Sequence, residues 1–168
     1  KSIPAVFTQF RKKVEKYASI RPESKSIQKE DSNRIENNTR LPDLTTLGYS
    51  EIKKDPRSAF PFHGGESEAL KRIDYYFFAS KKLSVYKQTR NGLIGTDYSS
   101  KLSPWLANGS ISAKTIYWKI KEYETENGAN DSTYWLIFEL IWRDYFKFIS
   151  LKHGNALFKI DGILEKHY

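Results

Sequence analysis

Two stretches of the chain carry side chains whose types and spacing could do chemistry. The first is a hydroxyl-rich run, Gly95-Thr96-Asp97-Tyr98-Ser99-Ser100-Lys101-Leu102-Ser103-Pro104-Trp105-Leu106. A pyrophosphate needs several short donors converging on it. Ser99, Ser100 and Ser103, the N–H groups of a helix opening at Pro104 and the charge of Lys101 could supply them. The plainer reading is a helix cap, since Ser103 followed by Pro104 is a good N-cap and first-turn pair. The second stretch holds Glu139, Trp142 and Arg143 inside the longest apolar segment, Thr133 to Leu151. A buried carboxylate can accept hydrogen bonds from a base edge or a flavin, and an indole offers a face to a flat ring. Here the plainer reading is an internal ion pair, because Glu139, Arg143 and Lys147 follow at i, i+4 and i+8 on one stripe.

Composition excludes several other chemistries. The chain has 168 residues, with no cysteine and no methionine. Zinc ribbons, iron–sulfur ligation and cysteine nucleophiles are thereby ruled out. Of the three histidines, His63 sits in a turn, His153 near a helix end and His167 at the terminus, without ligand spacing, so no metal site is expected. Neither a Ser/His/Asp nucleophile set nor a Walker loop is present. No apolar run approaches the roughly 20 residues that cross a bilayer, and Lys1-Ser2-Ile3-Pro4 is not a signal peptide. The expectation is a soluble, intracellular protein of one domain, and the missing initiator Met suggests a segment of something longer.

A net charge of +8 favours an anionic partner. Ten basic against five acidic side chains lie in residues 1–40, so most of the excess belongs to one quarter of the chain. A solvated basic arm and a nucleic-acid surface are both compatible with that distribution.

The elements that must position these residues read as helices. Val6, Phe10, Val14 and Tyr17 fall at helical spacing among Arg11, Lys12, Lys13 and Lys16. From Ser19 to Arg40 the chain is polar and cannot repay its ordering entropy, which makes it a linker. Leu41, Leu44 and Leu47 restore apolar anchors. Glu66 to Ser80, entered through Gly64-Gly65, carries acids in its first turn and repeats Ala69, Ile73 and Tyr76/Phe77 on one face. A short helix is expected within residues 84–91, another opening at Pro104, one from about Ser112 to Glu124, and a long one from Thr133 to Leu151. The last is apolar almost all round and belongs in the middle of a bundle. The fold class is therefore all-α, a helical bundle. Residues 1–40 form an amphipathic helix and basic linker, and residues 41–168 form the helical domain.

Taken together, several motifs resemble the photolyase/cryptochrome family, most closely its DASH-type cryptochromes. They are Phe60-Pro61-Phe62-His63-Gly64-Gly65-Glu66-Ser67-Glu68-Ala69-Leu70-Lys71-Arg72, Tyr86-Lys87-Gln88-Thr89-Arg90-Asn91, Thr96 to Gly109, Asn130 to Trp135, and Phe138-Glu139-Leu140-Ile141-Trp142-Arg143-Asp144-Tyr145-Phe146. The resemblance implies a blue-light flavoprotein whose helical domain holds FAD and docks UV-damaged, preferably single-stranded, DNA. It implies light-driven electron transfer that splits cyclobutane pyrimidine dimers, the reaction of a deoxyribodipyrimidine photolyase. By motif, Tyr86, Ser99, Ser100, Lys101, Leu102 and Ser103 would contact FAD, chiefly its phosphates. Arg90 would approach the DNA backbone. Glu139, Trp142 and Arg143 would line the space between flavin and lesion, with Glu139 on a thymine edge and Trp142 packed on the dimer.

The resemblance also marks what this chain does not match. The α/β domain that would carry a folate-type antenna is largely absent, and so is the second half of the helical domain, with its isoalloxazine contacts and tryptophan chain. The expectation is the linker plus the first half of an FAD-binding domain, inactive by itself, weak in FAD binding, and self-associating through its uncovered face. The competing expectation is a non-catalytic helical module that binds nucleic acid or a protein without flavin.

Overall fold

The computed structural model describes residues 3–24, 35–50, 53 and 55–165. Among them every regular element is helical. The chain forms α1 (Phe7–Tyr17), α2 (Glu66–Ile73), α3 (Tyr86–Thr89), α4 (Ser103–Ala107), α5 (Ala113–Asn127) and α6 (Asp131–His153), with 3-10 turns at Lys82–Val85 and Gly154–Phe158. No helix of the described residues is long and apolar enough to cross a membrane.

The long helix α6 is the axis on which α1, α3, α5 and the Lys82–Val85 turn pack. Its start is fixed chemically. The Asn130 side chain accepts from the N–H groups of Ser132 (2.8 Å) and Thr133 (3.0 Å), while the Thr133 hydroxyl accepts from the Asn130 N–H (3.1 Å). That reciprocal box satisfies helix donors that would otherwise be orphaned. The same segment fastens α3, because the buried Ser132 hydroxyl accepts from the Lys87 N–H (3.0 Å) and donates to Gln88 (3.0 Å). Ser112 caps α5 by accepting from the Thr115 N–H at 3.0 Å.

The core gathers Ala69, Ile73, Tyr76 and Phe77 from the α2 region, Leu83, Trp105, Ile116 and Ile120, and Leu136 and Leu140 from α6. Glu66 to Ser80 is helical throughout, as its periodicity predicts, but only Glu66–Ile73 is α-helix. Asp74–Ala79 widens into a π-helical turn, closed by Ser80 N–H to the Tyr75 carbonyl at 2.8 Å. Buried residues at 73, 76 and 77 satisfy either geometry, which is why spacing does not separate the two.

Three expectations need correction. The helix α6 is central only as far as Tyr145: Leu136, Leu140 and Tyr145 are buried, whereas Phe146 is 59% and Leu151 78% exposed. Leu41, Leu44 and Leu47 are exposed and anchor nothing among the described residues. Ser103 is the first residue of α4 rather than its cap, and no side chain caps that helix. Of the expected linker, the part nearest α1 lies along α5, where Trp118 Nε1 donates to the Arg21 carbonyl (3.0 Å) and Lys114 Nζ to that of Pro22 (3.4 Å). Its middle, residues 25–34, lies outside the described residues, as does His167.

Candidate functional site

One face of α6 and the serine-rich loop enclose a cavity of about 590 Å³. That size falls within the range of small-molecule and cofactor sites. From α6 come Leu136, Glu139, Leu140 and Arg143, at i, i+3, i+4 and i+7 and so on a single helix face. From the loop come the consecutive residues Tyr98 to Ser103, and Tyr86, Leu106, Ala107 and Ile116 complete the lining. Of the nine residues expected to contact FAD or to line the space beside it, eight meet here, Tyr86, Ser99, Ser100, Lys101, Leu102, Ser103, Glu139 and Arg143, and Trp142 does not.

The loop presents donors without protein acceptors. Among the described residues, neither the hydroxyls of Ser99, Ser100 and Ser103 nor the N–H groups of Ser100, Lys101, Leu102 and Ser103 form a hydrogen bond. Lys101 adopts a left-handed backbone (φ 62°) and lays its ammonium 3.6 Å from the centre of the Tyr98 ring. Unpaired donors, two cationic side chains and the apolar walls Leu102, Leu106, Ile116, Leu136 and Leu140 suit a ligand with an anionic part and a flat, apolar part. FAD has that composition, so the residues present fit the group.

What shapes the loop is Arg72, a residue that the sequence reading missed. Its side chain is 3% exposed. It donates to the carbonyls of Thr96 (2.9 Å), Ser99 (3.1 Å) and Ser100 (3.1 Å) and to the Asp97 carboxylate (2.9 Å). Its guanidinium also lies 4.8 Å from the Phe62 ring centre and 5.0 Å from that of Tyr76. The available signal was positional, since Arg72 falls at i+3 from Ala69 on the stripe otherwise made of core residues. Burial raises the Asp97 pKa, but hydrogen bonds from Arg72 and Tyr75 and the charge of Arg72 outweigh it and leave the group below its ordinary value. Burial foremost pushes the Tyr76 phenol up to about 12. Burial, followed by the charge of Glu139, also raises the Tyr86 phenol.

On the α6 side, charge pairing differs from the i,i+4 alternative. Glu139 takes its partner from α3, with Arg90 Nη1 donating to Oε1 at 2.5 Å, while Arg143 pairs with Asp144 at 3.2 Å. Arg90 therefore touches the site through Glu139 and lies 5.5 Å from the Trp135 ring centre. Trp142 is not part of the cavity lining. Its indole stacks on Phe7 of α1, with centroids 3.4 Å apart and planes 10° from parallel, inside an aromatic cluster with Phe138, Tyr145 and Phe146.

No protein-family model matches the chain. Comparison with individual proteins gives extended matches. Cryptochrome DASH of Danio rerio is 50% identical over 167 residues, covering 98% of this chain and 32% of that protein. A rice relative named cryptochrome DASH, chloroplastic/mitochondrial, is 47% identical and is covered over 28% of its length. A crystal structure of a Synechocystis cryptochrome superposes with a TM-score of 0.82 at 44% identity, covering 99% of this chain and 34% of that one. The chain thus spans about a third of the length of the curated relatives that it matches. Sequence identity along nearly every residue and agreement in backbone lead to one conclusion: over its own length the chain is homologous to about a third of the cryptochrome DASH proteins that it matches.

Proposed function

We propose that the cavity is an FAD site and that the chain is part of a DASH-type blue-light flavoprotein acting on UV-damaged, preferably single-stranded, DNA. One observation carries the reading: residues from three separated stretches, Tyr86, Ser99–Ser103 and Glu139/Arg143, line a single cavity whose loop donors have no acceptor among the described residues. In this reading Ser99, Ser100, Ser103 and Lys101 hold the phosphates, while Tyr86, Leu102 and the apolar side chains exclude water from the rings. Arg143 adds positive charge at the far wall. Bound FAD, reduced and excited by light, would supply the electron that splits a cyclobutane pyrimidine dimer. Glu139 would accept from a thymine edge, and Arg90 would meet a DNA phosphate. Because those two side chains are bonded to each other, each exchanges that partner for DNA. Trp142 packs on the dimer only where Phe7 leaves a face of the indole open.

This stretch alone should bind FAD weakly, since Ser103 and Ala107 are exposed and burial of the ligand is incomplete. Exposed Phe146, Leu151, Phe158 and Ile160 form the surface for self-association, which sedimentation would detect as species above the monomer. With plant relatives named chloroplastic/mitochondrial, an intracellular, organellar setting is consistent with the reading. The test is gel filtration of the purified chain with added FAD, followed by its visible absorption. Co-eluting flavin that is reduced in amount by Ser100→Ala with Ser103→Ala supports the site. A colourless protein argues for a helical module without flavin. Glu139→Ala should lower binding of a dimer-bearing oligonucleotide and leave the flavin spectrum unchanged.

A further inference from the structure

The serine loop lies between Arg72 and the cavity: Ser99 to Ser103 line the cavity, and Arg72 does not. Three carbonyls of that loop, those of Thr96, Ser99 and Ser100, point at the guanidinium. The described peptides are all trans. In a trans peptide the C=O and the N–H of the next residue point in opposite directions. Drawing the Ser99 and Ser100 carbonyls back onto Arg72 therefore turns the N–H groups of Ser100 and Lys101 the other way, onto the cavity side. Neither donates to a described residue. The backbone then runs through a left-handed Lys101 (φ 62°) and a right-handed Leu102 (φ −81°, ψ −10°). That succession makes consecutive N–H groups converge on a concavity suited to an anion.

We propose that Arg72 is a positioning residue that makes this loop a phosphate receptor: from behind, it fixes the carbonyls so that the opposite N–H groups face the ligand. The inference rests on reading the cavity as a site for a phosphate-bearing ligand. A guanidinium is required for the task. Its flat fork spans three carbonyls and the Asp97 carboxylate at once, whereas a lysine ammonium at the end of a single stem cannot cover acceptors spread over residues 96–100. Asp97, 2.9 Å away, offsets the charge, so the cavity sees oriented peptide dipoles rather than a naked cation behind the loop.

The test is an amide NMR titration of the whole chain with inorganic pyrophosphate. In the wild type, the N–H signals of Ser100 and Lys101 should shift. In Arg72→Lys the same titration should be about tenfold weaker, the worth of one charge-assisted hydrogen bond, while the α5 and α6 amides keep their positions. An unchanged titration in folded Arg72→Lys overturns the proposal, as does a wild-type loop that ignores pyrophosphate. Should the variant not fold, the wild type answers alone. The Arg72 Nε–H, bonded to the Ser100 carbonyl, must shift with the same midpoint as the Lys101 N–H across that peptide, and a silent Nε–H sinks the coupling. If pyrophosphate moves the loop but FAD binds no tighter than pyrophosphate, the flavin reading fails and the role of Arg72 stands.

Discussion

The cavity has two walls built on opposite plans. Its helical wall takes Leu136, Glu139, Leu140 and Arg143 from one face of α6, where local hydrogen bonds set the backbone and the side chains inherit their direction from the helix. The loop wall has no such repeat. Residues 96–101 form few backbone hydrogen bonds of their own and hold their shape because Arg72, 24 to 28 positions earlier, collects their carbonyls. A helical wall resists the loss of a single contact, whereas the loop wall depends on one side chain.

That contrast can be broken by substitution. Arg72→Met leaves Asp97 and three carbonyls without their buried donor, and should cost about 4 kcal/mol in urea unfolding, in the range for a broken buried pair. In amide NMR spectra the loop signals should be the first to move to unstructured positions. Leu136→Ala, at a residue 4% exposed, should cost about 3 kcal/mol through lost burial and the space left behind. It should enlarge the cavity while α6 keeps its exchange protection and the loop amides keep their NMR positions. If Leu136→Ala disorders the loop as fully as Arg72→Met, the two walls are one cooperative unit and the distinction fails.

The same contrast explains what the sequence made legible. Periodicity found α2, α5 and α6, because burial of one face leaves a 3.6-residue signature in residues such as Ala69/Ile73 and Ile116/Ile120, whereas α4 was legible only from the Ser103-Pro104 pair. The same signature placed Glu139 and Arg143 on a shared face. It did not find their partners: Glu139 pairs with Arg90, 49 positions away, and spacing along α6 favoured Arg143. The serine loop was visible as composition and as a resemblance, but its conformation depends on a long-range contact that no local rule encodes. Trp142 was read as a site residue, and the Phe7 stack that occupies it comes from the other end of the chain. Where geometry is local the sequence is informative; pairing between distant elements required the coordinates.

A smaller effect tests how tightly the loop wall is seated. At Gly92 an added Cβ would lie 2.8 Å from the Tyr98 Cβ and 3.2 Å from the Thr89 carbonyl oxygen. Both neighbours are close to backbone and cannot swing aside, so Gly92→Ala should cost about 1–2 kcal/mol and push Tyr98 out of the cavity lining. Thermal unfolding measures the cost. The fluorescence of Trp105, the buried residue of the adjacent α4, should change only if the displacement spreads beyond Tyr98.

The smallest expected effect is titration of Asp97. Its folded pKa lies below the ordinary 3.8 because hydrogen bonds from Arg72 and Tyr75 and the charge of Arg72 outweigh its burial. A carboxyl depressed on folding stabilises the fold fully above its unfolded pKa and ceases to do so as pH falls through the folded one. Wild type and Asp97→Asn should therefore differ in stability by a constant amount from neutral pH down to about pH 5, and converge below it. The gap should be smaller than the cost of Arg72→Met, because Arg72 still holds the Thr96, Ser99 and Ser100 carbonyls after Asp97 is neutralised. Urea midpoints measured from pH 7 to pH 2.5 would show it. A gap that widens on acidification would mean that Asp97 is not ionised at neutral pH, and that the loop wall is held by neutral hydrogen bonds around Arg72 instead of by an ion pair.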